Sequence, residues 1–278
     1  MPPKLGILAG GGELPARIIN TCKDAGRDVF VLAFIDQTDP ETVAGTSHAW
    51  VRLGAAGDAI ERLHRAGVED VVMAGAIRRP TLGALRPDLR AARLIAKLGV
   101  AVLGDDKLLS AVVRELEEKE GFRVVGPQSL LPGSLAAKGI LGDHRPDEQA
   151  HQDTRRGIEV ALGIGALDVG QGAVVQQGLV LAVEAVEGTD AMLARAANLR
   201  REGPGGVLVK VSKPGQERRA DLPTIGVATV AAAARAGLRG IAVEAGGTLL
   251  IDPEMIIRAA DEAGLFVLGV EVPEELSG

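Results

Sequence analysis

The densest group of chemically useful side chains lies in the string KVSKPGQERRADLPTIGVAT, residues 210–229. An apolar, strand-like run leads into this string and a helix of small residues follows it, so residues 212–226 are predicted to form an ordered loop. Cationic side chains suit phosphate, an amide both donates and accepts, and a carboxylate is a hard ligand for Mg²⁺. The loop offers all three types: Lys213, Gln216, Arg218, Arg219 and Asp221. A phosphorylated ligand fits this set, although a solvated connector has a similar composition.

Other kinds of catalytic motif are absent from the sequence. It has no Ser-His-Asp spacing, nucleophile elbow, Walker loop or HExxH motif, so covalent and zinc chemistry have no support. Carboxylates and cationic side chains remain, and they suit Mg²⁺-assisted hydrolysis of a phosphoanhydride. Mg²⁺, or another divalent cation, is therefore the predicted cofactor.

A second candidate group lies where a predicted hairpin meets a helix. Glu184 closes the second strand of the hairpin, and Thr189 and Asp190 open the helix. Capping by Thr189 or Asp190 is enough to explain this pattern. The same helix N-terminus also favours anions, so these residues could build a phosphate and metal site with Glu184.

Three glycines, Gly10, Gly11 and Gly12, follow the first predicted strand and precede a helix. Backbone amides at such a turn can approach a phosphate or sugar, although a tight turn alone also explains the glycines. Asp36, at the end of the second strand, lies where a dinucleotide fold places its ribose-binding acid. Pro15 stands where the third glycine of that fingerprint belongs, which weakens a nicotinamide interpretation.

The alternation of strand and helix patterns predicts two α/β domains, the N-terminal one Rossmann-like. The N-terminal domain is assigned to residues 1–130. Residues 131–146 are rich in Pro, Gly and Ser without a sustained period, which predicts a linker. Residues 147–278 then form the predicted C-terminal catalytic domain.

Bulk composition limits the partners. Only 2% of residues are aromatic and the net charge is −6, so nucleic acid binding is not expected. The single Cys22 falls on the apolar face of a predicted helix and suits a buried thiol in a reducing cytoplasm. No apolar run approaches the roughly 18 residues of a membrane span, and the N-terminus turns polar too soon for a signal peptide. Any membrane contact should be peripheral.

Two strings in the C-terminal half, KPGQ-x-x-R-x-DLPTIG and LDVGQGAVVQQGLVLAVEAVEGTD, resemble the UDP-2,3-diacylglucosamine pyrophosphatase family of lipid A biosynthesis, LpxI type. The likeness is weaker in the glycine turn and at residues 104–109. It implies two α/β domains with a cleft between them that takes a UDP-sugar bearing two acyl chains. It also implies attack of water on the α-phosphorus with a divalent cation, giving UMP and 2,3-diacylglucosamine 1-phosphate.

The resemblance implies roles for individual residues. Asp221 would bind the metal or orient the attacking water. Because Asp221 alone cannot hold Mg²⁺, Glu184, Asp190 or a residue of the N-terminal domain is expected to face it. The remaining residues would bind substrate: Gly10, Gly11, Gly12, Thr189, Lys213, Gln216, Arg219 and Thr224. Glu217 stands where the family commonly has Asp and Val227 where it has Pro, so Glu217 is left out of the metal set.

A lipid substrate implies apolar surface for its chains and peripheral attachment to the cytoplasmic face of the inner membrane. A homodimer is a further expectation. Two other functions stay open at this point. One is an NAD(P)-dependent oxidoreductase that uses the glycine turn and Asp36, and the other is a nucleotide-sugar binding protein without catalysis.

Overall fold

The computed structural model of the protein describes residues 2–78, 85–99 and 105–272. The chain forms two compact units. The N-terminal unit comprises residues 1–131 together with 217–221, and the C-terminal unit comprises residues 132–216 together with 222–278. Each unit has its own sheet flanked by helices. The predicted α/β class with two domains is therefore confirmed.

A five-stranded parallel sheet forms the centre of the N-terminal unit. Its strands are β1 (Leu5–Ala9), β2 (Val29–Phe34), β3 (His48–Val51), β4 (Asp70–Ala74) and β5 (Arg123–Val124). They lie in the order β3-β2-β1-β4-β5, with β1 central. The carboxyl ends of β1, β2 and β4 therefore share one edge, where the glycine turn lies. The Rossmann-like label for this unit stays a prediction.

Helices connect these parallel strands, as parallel pairing requires. They are α1 (Leu14–Asp24), α2 (Pro40–Val43), α3 (Ala56–Arg65), α4 (Leu89–Leu98) and α5 (Asp105–Arg114). A further helix, α6 (Pro127–Leu130), follows β5. A π-helical turn, Glu115–Lys119, continues α5. Cys22 lies on the buried face of α1, and burial raises the pKa of its thiol.

A buried carboxylate ties together the amino-terminal ends of this sheet. Asp70, only 2% exposed, begins β4. It accepts hydrogen bonds from Arg123 Nε and Nη2 at 2.8 and 2.7 Å, and from Arg27 Nη2 at 2.5 Å. A carboxylate removed from water needs such partners, so the two arginines fix β5 and the start of β2 relative to β4.

The C-terminal unit contains a mixed six-stranded sheet and a two-stranded one. Its strands are β6 (Gly139–Ile140), β7 (Gly172–Gln176), β8 (Leu179–Val183), β9 (Val207–Lys210), β10 (Thr224–Ile225), β11 (Gly240–Glu244), β12 (Leu249–Leu250) and β13 (Phe266–Val270). The large sheet has the order β6-β13-β11-β9-β7-β8, and β10 pairs with β12. Residues 131–146, predicted as a linker, contribute β6, which pairs with β13.

Helices cover both faces of the large sheet: α7 (Glu148–Ala166), α8 (Gly188–Ala197), α9 (Val227–Arg235) and α10 (Pro253–Glu262). α7 packs on one face, and α8, α9 and α10 pack on the other. Because β9 is covered on both faces, each of its residues is buried. No helix of the described residues is both long and apolar enough to cross a membrane.

The carboxyl ends of four strands share one edge of this sheet. β9, β11 and β13 are parallel, and β8 runs the same way because both β8 and β9 are antiparallel to β7. Glu184 follows β8, Lys210 ends β9 and Glu244 ends β11. The topology therefore brings three charged side chains to the same edge.

Close packing of β11 against β13 gives a stability test. A Cβ atom added at Gly240 would lie 2.3 Å from the ring of Phe266, whereas one added at Gly163, in α7, would meet nothing within 4 Å. We expect Gly240→Ala to lower the free energy of unfolding by about 1–3 kcal/mol. The matched change Gly163→Ala should raise it by about 0.5–1 kcal/mol, because glycine disfavours a helix interior. Urea unfolding followed by circular dichroism measures both, and equal effects would contradict the packing.

Candidate functional site

A buried lysine lies at the centre of the carboxyl edge of the C-terminal sheet. Lys210 is 6% exposed, and its Nζ donates to Thr189 Oγ1 at 2.7 Å and to the Thr224 carbonyl oxygen at 3.4 Å. Thr189 Oγ1 donates in turn to Glu184 Oε1 at 2.6 Å, and Lys210 Nζ lies 3.8 Å from the same carboxylate oxygen. Lys210 thus links Glu184 and Thr189, predicted from one string, to the backbone of Thr224, predicted from the other, in one hydrogen-bonded chain.

A glycine makes room for this chain. Gly172 of β7 is opposite Lys210 of β9, and its carbonyl oxygen accepts from the amide of Glu184. A Cβ atom at Gly172 would lie 2.8 Å from Glu184 Oε2, so a larger residue would displace the carboxylate. Glu184 is 7% exposed, and its Oε2 has no hydrogen-bond partner among the described residues. This oxygen is free to accept from a donor or to bind a cation.

Lys213 and Gln216 are held by a tight turn after β9. The Lys213 amide donates to Gln216 Oε1 at 3.0 Å, and the Gln216 amide donates to the Lys213 carbonyl oxygen at 3.2 Å. Lys213 Nζ donates to Asp168 Oδ1 at 2.6 Å. Both predicted substrate-binding side chains are largely buried. These hydrogen bonds hold them in place, and the Lys213 ammonium group contacts a carboxylate.

The loop that carries Lys213 is fixed from the neighbouring strand. Glu244 Oε2, at the end of β11, accepts from the Ser212 amide at 2.8 Å. Ser212 Oγ donates to the Gly247 carbonyl oxygen at 3.2 Å. The carboxylate thus fixes the backbone at the start of the loop, and the predicted order of this loop has a physical cause.

The middle of the loop belongs to the N-terminal unit, whereas both of its ends belong to the C-terminal unit. Residues 217–221 form one helical turn, in which the amides of Ala220 and Asp221 donate to the Glu217 carbonyl oxygen at 2.9 and 3.0 Å. Ala220 packs against the apolar core of that unit. The backbone that carries Asp221 is therefore fixed there, although Lys213 and Gln216 belong to the C-terminal unit.

Arg219 of this turn is surrounded by carboxylates. It donates to Glu217 through Nε at 2.9 Å and Nη2 at 2.8 Å, and to Glu117 Oε1 through Nη1 at 2.8 Å. The hydrogen bond from Arg219 lowers the pKa of Glu217, and the bond to Glu217 raises the pKa of Arg219. Its predicted contact with substrate phosphate would have to compete with these partners.

The predicted metal ligands do not form one cluster in either unit. Asp190, in the first turn of α8, is exposed, Glu184 is buried, and Asp221 lies in the N-terminal unit. Within the described part of the chain, no three His, Cys, Asp or Glu side chains gather in a way that would hold a metal ion. Carboxylate oxygens suit Mg²⁺ chemically, so the ligand set stays a prediction.

Backbone contacts account for two of the three N-terminal glycines. A Cβ atom at Gly10 would lie 2.5 Å from the Ala76 carbonyl oxygen, and one at Gly11 would lie 2.9 Å from the Gln37 carbonyl oxygen. Gly12 has open space around it but a φ of +86°, which favours glycine. The Glu13 side chain makes no capping hydrogen bond at the start of α1. Substrate binding by this turn stays a prediction.

Thr224 begins β10, and its Oγ1 donates to the Leu222 carbonyl oxygen at 3.0 Å. Asp36 is exposed after β2 and has a φ of +64°. Residues 100–104, where the weaker likeness begins with Gly104, lie outside the described residues.

Three important residues are not among those predicted from the sequence: Lys210, Asp168 and Glu117. Lys210 carries a usable signal, since a charged residue closing an apolar strand is seldom buried without a partner. Asp168 and Glu117 carry none, because their partners are 45 and 102 positions away in the chain.

The buried chain predicts a strong stability effect. Lys210→Met would leave the Glu184 carboxylate without its cation, at a cost of about 3–5 kcal/mol in the free energy of unfolding. Adding Glu184→Gln should recover part of that loss, because the uncompensated charge is removed. The control is Lys138→Met, which breaks an exposed ion pair with Glu271 and should cost at most about 1 kcal/mol. Urea unfolding measures these free energies. If the effects of Lys210→Met and Glu184→Gln were additive, the two side chains would not be coupled.

The contact between Glu217 and Arg219 predicts a pH dependence. The pKa of Glu217 is lowered in the folded protein, so its stabilising effect is present above its ordinary pKa and is lost as pH falls through the lowered value. At pH 7 the wild type should exceed Glu217→Gln by up to about 1 kcal/mol in free energy of unfolding. This difference should shrink towards pH 3. Urea unfolding at both pH values measures it, and a difference that grows on acidification would contradict the assignment.

Comparison of the sequence with known proteins identifies the family of this chain. The LpxI N-terminal domain model matches residues 4–134 and the LpxI C-terminal domain model matches residues 137–268. The UDP-2,3-diacylglucosamine pyrophosphatase LpxI of Caulobacter vibrioides is 47% identical over 279 residues, covering 98% of this chain and 99% of that protein.

Two solved structures are distantly similar to this chain. Thermus thermophilus UDP-glucose 4-epimerase in complex with NAD is 16% identical, with 98% of this chain and 91% of that chain covered and a TM-score of 0.31. Carboxyaminoimidazole ribonucleotide synthase from Aspergillus clavatus is 14% identical, with 63% and 38% covered and a TM-score of 0.24. Neither likeness bears on function. The two LpxI domain models together match most of the chain, and the Caulobacter protein is 47% identical to it over 98% of its length. The chain therefore belongs to the LpxI family.

Proposed function

We propose that this chain hydrolyses the pyrophosphate bond of UDP-2,3-diacylglucosamine in lipid A biosynthesis, giving UMP and 2,3-diacylglucosamine 1-phosphate. The observation that carries the proposal is the 47% identity to the Caulobacter pyrophosphatase over 98% of the chain. The loop from Lys213 to Gly226 adds support, since it combines cationic, amide and carboxylate side chains. A nicotinamide-dependent oxidoreductase is not favoured.

Asp221 is the proposed catalytic residue, as a metal ligand or as the group that orients the attacking water. Its amide is held by the Glu217 carbonyl oxygen at 3.0 Å, so the backbone from which its side chain projects is fixed. Fixing a catalytic group before the reaction lowers the entropic part of the barrier. Attack on the α-phosphorus would release UMP and leave the other phosphate on the sugar.

The C-terminal unit supplies most of the proposed substrate contacts. Lys213 and Gln216 would neutralise and hold phosphate, and Thr189 and Thr224 lie beside the buried Lys210. The glycine turn, Gly10 to Gly12, would approach phosphate or sugar with its backbone amides. Arg219 faces two carboxylates, and this favours a role other than phosphate binding.

Mg²⁺ is the proposed cofactor. When bound, it would neutralise charge on the phosphoryl oxygens. The carboxylates of Asp221, Asp190 and Glu184 have the right chemistry to hold it, and the Glu184 oxygen Oε2 has no other partner among the described residues. The role proposed for Asp221 does not depend on which residues complete the ligand set.

The acyl chains of this substrate would keep it in a bilayer, so we propose peripheral attachment to the cytoplasmic face of the inner membrane. Two large apolar side chains, Leu167 and Val186, are 77% and 99% exposed and offer apolar surface for such contact. A homodimer is proposed without a specific interface.

Asp221→Asn and Asp221→Ala should each lower the rate of UMP release by at least about a hundredfold, because a positioned acid-base or ligand group is removed. Urea unfolding should show that both variants fold. Asp24→Asn, at the exposed end of α1, is the control and should keep wild-type activity. Wild-type activity should also stop with EDTA and return with Mg²⁺. Full activity in Asp221→Ala would end its assignment.

Hydrolysis in ¹⁸O-labelled water separates the alternatives. Label in UMP supports attack on the α-phosphorus, and label in the sugar phosphate reverses the proposed regiochemistry. Tight UDP-sugar binding without UMP release at any Mg²⁺ concentration would instead indicate a non-catalytic binding protein.

A further inference from the structure

We propose that Glu117 and Arg219 are positioning residues that hold Asp221 in place for the reaction. The proposal rests on the function given above. It concerns contacts within the N-terminal unit, to which residues 217–221 belong. The same residues lie inside the range 137–268 matched by the LpxI C-terminal domain model, so the domain division alone does not reveal these contacts.

Arg219 makes one local and one distant carboxylate contact. The local contact, to Glu217 two positions earlier, stiffens the helical turn but cannot decide where that turn lies. The distant contact, from Nη1 to Glu117 Oε1 at 2.8 Å, spans 102 positions in the chain. Among these ion contacts, the bond to Glu117 is the one that attaches the turn to the body of the unit.

Glu117 is itself held in place. It lies in the π-helical turn Glu115–Lys119, which packs through the buried Leu116 into the apolar core. Its Oε1 accepts from the Val124 amide of β5 at 3.3 Å as well as from Arg219. A carboxylate fixed by a strand amide is a stable anchor, and Ala220 adds an apolar contact to the same core.

These contacts favour positioning by Arg219 over direct phosphate binding. Three N–H groups of this guanidinium, one each on Nε, Nη1 and Nη2, already donate to carboxylates, so a phosphate would have to share the guanidinium with two neighbouring negative charges. Asp221 is only two residues from Arg219, and its amide closes the turn on the Glu217 carbonyl oxygen. A shift of this turn would therefore move Asp221.

The kinetic test compares Glu117→Ala, Glu117→Gln and the control Glu118→Ala in full-length protein with UDP-2,3-diacylglucosamine and Mg²⁺. Glu118 is the exposed neighbour in the same π-helical turn. If Glu117 positions Asp221, Glu117→Ala should lower kcat by between about tenfold and about a hundredfold and change KM less than about twofold. Glu117→Gln keeps an acceptor oxygen for Arg219, so it should recover part of kcat. Glu118→Ala should match wild type.

Amide hydrogen exchange gives a second readout that does not need turnover. Exchange at Ala220 and Asp221 should be faster in Glu117→Ala than in wild type and unchanged in Glu118→Ala. If wild-type protein releases no UMP, the proposed function fails, while exchange still tests the contact.

Three results would overturn the inference. The first is unchanged exchange in Glu117→Ala. The second is wild-type kcat in that variant, with or without a lower KM; a lower KM would indicate that freed Arg219 binds phosphate. The third is a loss of kcat with no recovery in folded Glu117→Gln.

Discussion

The need to compensate one buried ammonium group organises the carboxyl edge of the C-terminal sheet. Lys210 closes a strand that is covered on both faces, so its charge must find partners inside the protein. Thr189 and Glu184 supply them, and this fixes where α8 begins and how the chain leaves β8. Gly172 follows from the same need, because the Glu184 side chain occupies the space beside its α-carbon. Glu184 and Thr189, two of the residues predicted for the metal and the phosphate, thus share one electrostatic constraint.

Much of the fold could be predicted because local sequence patterns indicate its helices, strands and turns. The hairpin of β7 and β8, the helix after Glu187 and the buried strand before Lys210 all follow from apolar periodicity and turn residues. Residue types in the loop were equally readable. Their partners were not, since the contact between Arg219 and Glu117 depends on how a distant π-helical turn packs. Arg219 shows the difference well: its charge suggested phosphate, and its surroundings are carboxylates.

For the N-terminal glycines, the predicted residue types have a structural cause that the sequence alone did not reveal. Gly10 and Gly11 are required because the backbone after β4 and the Gln37 carbonyl oxygen come too close for a side chain. A row of glycines before a helix therefore has a sufficient cause in the packing of adjacent loops. Only Gly12, with open space around it, owes its identity to backbone conformation alone.

Two separate segments of the chain build the N-terminal unit, and this has a consequence for its folding during translation. During translation, residues 1–131 emerge from the ribosome well before residues 217–221. A nascent N-terminal unit that folds before then does so with Glu117 lacking Arg219 and without the apolar contact of Ala220. Its last segment arrives only after β9 has been made. Completion of the first unit is thereby tied to synthesis of most of the second, so the residue proposed for catalysis takes its place late in folding.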